Sequence, residues 1–184
     1  MSAGRAPSDV TVAFSLGSNL GVREENLLAA LSKLSRTAGI TLEAASSLYE
    51  TAPVGVSTER SFINAACIAR TAIPPEDLLV LCKGIERQFG RGFDSASVDR
   101  TLDIDIIAYG DACIERMELT IPHPRFRQRL FVLMPLAEIC PNLKVPPSGD
   151  PVGELFQRCI RDAWVRRVSA RGNTLNVLKT KTLE

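Results

Sequence analysis

The stretch Arg100-Thr-Leu-Asp-Ile-Asp-Ile-Ile107 alternates apolar and polar residues over most of its length. Side chains on a β-strand point alternately to opposite faces of the sheet. We therefore predict a strand whose leucine and isoleucines enter the core and whose aspartates, Asp103 and Asp105, share the opposite face. Because aspartate is disfavoured in strands, two of them in one strand suggest a chemical role.

The two carboxylates have the character of a magnesium site. Their Cα atoms would lie about 6.6 Å apart, from a rise of about 3.3 Å per residue. Mg²⁺ takes oxygen ligands, commonly one or two carboxylates together with substrate phosphates. Arg100 begins the strand and Arg91 precedes it, and such cations suit a polyphosphate. The alternative is a polar strand face that only meets solvent. The sequence has neither of the common glycine-rich phosphate loops, so arginines and metal would hold a nucleotide.

A second polar cluster runs from Thr120 to Arg129. It contains the only histidine of the chain, His123, between two prolines, and three arginines follow at alternate positions. A solvated basic turn is one interpretation. The other is a phosphate clamp in which His123 donates a hydrogen bond to the transferring group. The overall net charge is only +1, so this local concentration of arginine favours the clamp.

A third cluster combines the turn Thr51-Ala-Pro-Val-Gly55 with Phe62 and Asn64. Asn64 stands in an otherwise apolar stretch, and a buried amide needs hydrogen-bond partners. Those partners could be nearby backbone groups. Alternatively, Asn64 could bind the edge of a flat heterocycle, with Phe62 or Phe131 stacking on the ring.

Composition and organisation predict one globular domain. The 184 residues are 45% hydrophobic and 23% charged, and the near-neutral charge argues against a general nucleic-acid binder. No apolar run reaches the roughly 18 residues of a membrane span. The five scattered cysteines form no Cys-x-x-Cys pair, which is typical of buried, reduced thiols in a cytoplasmic protein. We expect a domain over residues 10–168, with a disordered tail at 1–9 and a C-terminal tail at 169–184.

The order of predicted elements favours an α+β sandwich with a mainly antiparallel sheet, since strands and helices interleave without regular strand–helix–strand units. Asn19 or a neighbour is a candidate helix cap. Residues 92–99 are predicted to form a flexible loop. The predicted strands are Val10–Leu16, Ile40–Thr51, Ser61–Arg70 and Arg100–Tyr109, and the last predicted helix is Val152–Trp164.

Taken together, these clusters resemble the 6-hydroxymethyl-7,8-dihydropterin pyrophosphokinase family of folate biosynthesis. Eight stretches follow the order of that family. They are Ser15-Leu-Gly-Ser-Asn19, Ser46-Ser-Leu-Tyr-Glu-Thr51, Pro53-Val-Gly55, Phe62-Ile-Asn-Ala65, Ile85-Glu86 with Gly90-Arg91, Arg100-Thr-Leu-Asp-Ile-Asp-Ile106, Ile121-Pro-His-Pro-Arg125 and Phe131-Val-Leu-Met-Pro-Leu-Ala-Glu-Ile139.

The resemblance implies a ferredoxin-like fold and transfer of pyrophosphate from ATP to the pterin's hydroxymethyl oxygen, leaving AMP. It implies two Mg²⁺ ions on Asp103 and Asp105, which with Arg91 and Arg100 would be the catalytic residues. We expect a cytoplasmic enzyme, a monomer, that binds ATP and the pterin but neither nucleic acid nor membrane. The implied ATP-site residues are Glu86, Arg91, Arg100, Thr120, His123 and Arg129. The implied pterin-site residues are Thr51, Val54, Phe62, Asn64, Asp103 and Phe131.

One departure from the family lies directly before Arg100. The family usually has Gly-Pro there, whereas this chain has Val98-Asp99. The loop from Gly92 to Asp99 also lacks the extra arginines and the tryptophan of some members. Its Asp94 and Asp99 would repel phosphate unless they point away. A relative that binds pterin or nucleotide without turnover is therefore an alternative, and an unrelated adaptor that binds no nucleotide is another.

Overall fold

The computed structural model describes residues 9–54, 57–90, 99–159 and 165–168. The described strands are β1 (Val10–Ser18), β2 (Ile40–Ala45), β3 (Leu48–Thr51), β4 (Phe62–Thr71), β5 (Asp103–Tyr109), β6 (Ile114–Glu115), β7 (Thr120–Ile121), β8 (Lys144–Val145), β9 (Asp150–Pro151) and β10 (Val165–Val168). The described α-helices are α1 (Arg23–Ser35), α2 (Pro75–Gln88), α3 (Leu130–Ile139) and α4 (Val152–Cys159).

Six of the strands form one antiparallel sheet. Its order is β10-β3-β4-β1-β5, and β2 also pairs with β4. Because β4 is ten residues long, its first part pairs with β3 and its second with β2, so these two strands share one position. The four positions β2/β3-β4-β1-β5, with α1 after β1 and α2 after β4, give the expected ferredoxin-like arrangement.

The sheet has a different hydrophobic core on each face. The helices α1 and α2 cover one face, where Phe14, Leu16 and Ile104 are fully buried or nearly so. Leu102, directly before β5, and Ile106 on β5 belong to the same core, so the predicted alternation of this stretch is confirmed. The opposite face carries α3 and α4, whose buried residues pack with Ala13, Ala66, Ile68, Ile107 and Ala108.

The start of α2 follows from its sequence. Proline is tolerated in the first helical turn, where its missing N–H has no intrahelical partner, and Pro75 occupies that position. Glu76 and Asp77 then lie at the positive end of the helix dipole. The chain leaves the helix through Gly90, whose φ of 82° lies in the left-handed region that favours glycine.

Two sequence predictions were wrong, and one strand was not predicted. The N-cap of α1 is Val22, which makes no side-chain capping bond to the described residues, and Asn19 is engaged elsewhere. The stretch Ile40–Thr51 forms two strands, because Ser46 leaves the strand direction and its hydroxyl accepts the Ala66 N–H at 2.9 Å. The last predicted helix is described from Val152 to Cys159, and its predicted end at Trp164 lies outside the described residues. Strand β10 was not predicted from the sequence.

Other predictions concern features that the structure covers only partly. Residues 1–8, 55–56, 91–98, 160–164 and 169–184 lie outside the described residues, so the tails and most of the loop at 92–99 stay predictions. All five cysteines are described and are free thiols, although only Cys67 and Cys82 are buried. Among the described residues, no helix has the length and apolar character needed to cross a bilayer.

Candidate active site

A cavity of about 200 Å³ opens on the sheet face that carries α3 and α4, beyond the apolar area beneath those helices. Ten of the residues predicted for the site line it. They are Thr51, Val54, Phe62, Asn64, Arg100, Asp103, Asp105, His123, Arg129 and Phe131. The structure therefore brings together all six predicted pterin-site residues and three of the predicted ATP-site residues.

The cavity floor is a continuation of the α3-facing core along β1 and β5. On β1, Ala13 is in the core, whereas Ser15 and Gly17 line the cavity. On β5, Ile107 is in the core and the two aspartates follow toward the open end. Asp105 pairs across the sheet with Ser15, and Asp103 with Gly17. The sheet face that packs against α3 and α4 thus changes from apolar to polar where these helices no longer cover it.

The two aspartates differ in their surroundings. Arg100 forms an ion pair with Asp103 through a short contact. Burial, followed by the negative charge of Asp103, raises the pKa of Asp105 to about 6, although Lys83, Arg129 and Arg100 act in the opposite direction. A cation between the carboxylates would relieve this repulsion, so the donor set fits Mg²⁺. Two carboxylates match magnesium sites in which substrate phosphates and water are the other ligands. The described residues contain no group of three or more acidic, histidine or cysteine ligands.

His123 is held at the outer edge of β5. Its backbone N–H donates to the Ile107 carbonyl at 3.0 Å, and its Nδ1 accepts the backbone N–H of Arg125 at 3.3 Å. This acceptor role leaves the proton of a neutral imidazole on Nε2. Burial lowers the pKa of His123 to about 4, with further lowering by Arg129 and Arg125. At neutral pH the side chain is therefore an uncharged hydrogen-bond donor.

The three arginines after His123 have separate roles. Arg125 and Arg129 line the cavity, and the Arg129 guanidinium lies 5.4 Å from the Phe131 ring centroid. Arg127 instead donates to the carbonyls of Val145 and Pro146, at 3.1 and 2.7 Å. Only two of the three arginines therefore line the cavity.

Aromatic and amide groups complete the cavity wall. Phe62 and Asn64 lie on β4, across β1 from the aspartates, and Phe131 lies beside Arg129. We call these three residues the aromatic end. The Asn64 Nδ2 donates to the Thr51 hydroxyl at 2.8 Å. The partner of this amide is thus a side chain, and not the backbone group considered from the sequence. A Cβ on Gly17 would lie 3.1 Å from Asn64 Oδ1, so the missing side chain keeps space beside the amide.

Four cavity residues were absent from the predicted site set, namely Ser15, Gly17, Ala52 and Arg125. Small residues in a buried strand give no chemical signal by themselves, and strand register was needed to place Ser15 and Gly17 beside the acid pair. Arg125 was part of the predicted basic cluster. The sequence pattern alone could not show which of Arg125, Arg127 and Arg129 face the cavity.

Three predicted ATP-site residues lie elsewhere or outside the described residues. Glu86 is only 1% exposed, and its carboxylate accepts the Ile104 backbone N–H at 2.8 Å and pairs with Lys83. It thus supports the strand segment between the aspartates. Thr120 pairs with Glu115 in the β6–β7 hairpin. Among the described residues that line the cavity, Glu86 and Thr120 are not included. Arg91 lies outside the described residues. The ATP-binding roles of all three residues therefore stay predictions.

The departure at Asp99 has a structural explanation. Its Oδ1 accepts hydrogen bonds from Asn19 Nδ2 at 2.8 Å and from the Thr58 hydroxyl at 3.0 Å. Its Oδ2 lies 3.4 Å from the Arg60 Nε. The carboxylate is directed toward these loops, and it is not among the described residues that line the cavity. Asp94 lies outside the described residues.

Comparison with known proteins identifies the family. The sequence profile of the 7,8-dihydro-6-hydroxymethylpterin-pyrophosphokinase family matches residues 13–141. A 2-amino-4-hydroxy-6-hydroxymethyldihydropteridine pyrophosphokinase of Bacillus subtilis is 43% identical over 129 residues, which are 70% of this chain and 77% of that protein. A Synechocystis protein of the same name is 40% identical over 143 residues, 78% of this chain and 73% of its own length.

Solved structures show a similar fold. A Plasmodium falciparum HPPK-DHPS crystal structure with pteroate superposes with a TM-score of 0.66 at 16% identity, covering 82% of this chain and 42% of that one. A crystal structure of HPPK-DHPS in complex with substrates gives a TM-score of 0.68 at 13% identity and covers 82% and 43%. The chain thus spans less than half of these proteins, and the likeness concerns the fold. On its sequence matches, the chain belongs to the 7,8-dihydro-6-hydroxymethylpterin-pyrophosphokinase family.

Proposed function

We propose that the chain transfers pyrophosphate from ATP to the hydroxymethyl group of 6-hydroxymethyl-7,8-dihydropterin in folate biosynthesis. The pterin hydroxyl oxygen bonds to the β-phosphorus of ATP. The bond from that phosphorus to the α,β-bridging oxygen breaks, AMP leaves and the hydroxyl proton is released. The supporting observation is a single cavity whose wall combines an acid pair and arginines with two aromatic rings and an amide. The names of the relatives specify the same reaction.

The aromatic end suits the pterin. A flat heterocycle stacks favourably on aromatic rings, and Phe62 and Phe131 supply two of them. The exocyclic amine and ring nitrogens need directional partners, which Asn64 and neighbouring backbone groups can provide. Gly17 leaves the amide accessible because no side chain occupies the adjacent position. Thr51 holds the amide in its rotamer.

The charged end suits the triphosphate. Arg100 and Arg129 offer guanidinium groups that match phosphate oxygens, and the neutral His123 offers one N–H without adding charge. Phosphoryl-type transfer depends mainly on positioning and charge stabilisation. Arg91, Glu86 and Thr120 are proposed to complete the nucleotide site on the basis of the family resemblance.

Asp103 and Asp105 are proposed to hold Mg²⁺, with two ions implied by the resemblance. The metal would neutralise phosphate charge in the bound complex. The chain's own contribution is to keep the two carboxylates on one strand face, where the ion pair with Arg100 orients Asp103. Asp103 would also lie near the pterin hydroxyl.

We also propose that residues 10–168 act as one catalytic domain, flanked by the two tails, and that the enzyme is a cytoplasmic monomer. The support for these bounds is that β1, which begins at Val10, and β10, which ends at Val168, belong to one sheet. Light scattering of the purified full chain would test the monomer. A dimer mass would contradict it.

The decisive assay is AMP formation from ATP, 6-hydroxymethyl-7,8-dihydropterin and Mg²⁺. Formation of AMP only when the pterin is present supports the proposal. Binding of both substrates without AMP would instead support a relative that has lost turnover, the alternative raised by Val98-Asp99. Absence of nucleotide binding would support an adaptor.

A further inference from the structure

We propose that Asp99 is a positioning residue that holds Arg100 at the acid pair by way of Asn19. This inference rests on the proposed function, because Arg100 is placed there at the phosphates. It goes beyond that function in assigning a task to a residue outside the cavity. The observations that carry it are a chain of side-chain and backbone contacts among residues far apart in sequence.

The first link joins Asp99 to Asn19. Asn19 is only 3% exposed, and its Nδ2 donates to Asp99 Oδ1 at 2.8 Å. This bond fixes the orientation of the amide, because its nitrogen end faces the carboxylate. The Oδ1 of the same amide faces Arg100 and accepts its backbone N–H at 2.6 Å.

The second link closes the contact between Asn19 and Arg100. The Asn19 backbone N–H donates to the Arg100 carbonyl at 3.0 Å. Arg100 is thus held through both its N–H and its C=O, and its guanidinium pairs with Asp103. Nearby, Asn26 Nδ2 donates to the Thr101 carbonyl at 3.1 Å. The backbone that enters β5 is therefore fixed at two consecutive residues.

The third link ties this junction to the loop before β4. The Thr58 hydroxyl donates to Asp99 Oδ1 at 3.0 Å, and Arg60 forms an ion pair with Oδ2. That loop leads into Phe62, which lines the aromatic end of the cavity. A single carboxylate thus joins the segments on both sides of the site. The Arg60 pair is the weaker contact, since its side chain is 61% exposed.

The test uses the full chain with Asp99→Ala, Asp99→Asn and a control, Glu59→Ala, whose exposed side chain lies in the same loop. Asp99→Ala should lower kcat about 10- to 100-fold, because small misplacements of a phosphate-binding group are costly, while the KM for ATP stays within about threefold. Asp99→Asn keeps an acceptor oxygen and should recover most of the rate. Glu59→Ala should leave kcat and KM unchanged.

A double-mutant cycle with Arg100→Ala tests whether Asp99 acts through Arg100. If it does, Asp99→Ala in the Arg100→Ala background changes kcat less than about twofold. An equal effect in both backgrounds would overturn the proposal. So would a higher kcat or a lower ATP KM in both Asp99 variants, because that outcome would mean that the carboxylate merely repels the nucleotide.

Hydrogen exchange provides a readout that does not depend on the reaction. The Arg100 amide should exchange about tenfold or more faster in Asp99→Ala than in wild type, without a matching change at the Ile104 amide. Unchanged exchange at Arg100 would refute the contact chain even if the enzyme is active. If wild type forms no AMP but the Arg100 amide loses protection, the proposed function fails while the positioning by Asp99 stands.

Discussion

Replacing Asp105 with asparagine should stabilise the ligand-free protein. The pKa of Asp105 is raised from 3.8 to about 6, first by burial and then by Asp103. The charged carboxylate is therefore disfavoured in the folded state relative to the unfolded state. At about 1.4 kcal/mol per pKa unit, the ionised carboxylate lowers the free energy of unfolding by about 2 to 3 kcal/mol above pH 6.

The pH dependence has a definite sign. Well below pH 3.8 the carboxyl group is protonated in both states and does not destabilise the folded state. The cost grows as the pH rises from about 4 to about 6 and is constant above that range. Asp105→Asn should thus raise the free energy of unfolding by about 2 to 3 kcal/mol at pH 7.5 but only by about 1 kcal/mol at pH 4.5.

The assay is urea unfolding in the presence of EDTA at both pH values. Asp111→Asn is the matched control, because it removes the same charge from an exposed turn after β5 and should change stability by less than about 0.5 kcal/mol. An Asp105→Asn protein that is no more stable than wild type at pH 7.5, or equally stabilised at both pH values, would refute the reasoning. The variant should also lose AMP formation at saturating Mg²⁺; near-normal activity would contradict the metal assignment.

Three further predictions concern the cavity and the neighbouring Arg127. Asn64→Ala should weaken pterin binding about 5- to 30-fold, since a lost directional hydrogen bond costs about 1 to 2 kcal/mol. The affinity for a non-hydrolysable ATP analogue should stay within about twofold. Calorimetry that finds equal weakening of both ligands would remove Asn64 from the pterin site. Gly17→Ala should raise the pterin KM by several-fold with the ATP KM unchanged, because the added Cβ would lie 3.1 Å from Asn64 Oδ1; an unchanged pterin KM would show that this space is not used. Arg127→Ala should lower the free energy of unfolding by about 1 to 2 kcal/mol and leave the KM for ATP unchanged. Arg129→Ala should raise the KM for ATP with little loss of stability. The reverse pattern would contradict the separate roles of the two arginines.

The sequence alone determined the features that depend on local periodicity. The two-residue repeat of a strand was sufficient to place Asp103 and Asp105 together and to send Leu102, Ile104 and Ile106 into the core, as the structure confirms. The family resemblance supplied the strand arrangement and the two groups of substrate residues. Residues that carry distinctive chemistry, such as His123 and Asn64, could be selected because their side chains are unusual in their local setting.

The tertiary structure decided what depends on distant contacts. Periodicity cannot show where α3 and α4 stop covering the sheet, yet this boundary makes Ser15 and Gly17 part of the cavity while Ala13 remains in the core. Nor can it show that Asn19 contacts a residue 80 positions away and so does not cap α1. Such contacts depend on how separate elements meet in space, and the local chain carries no repeat that encodes them.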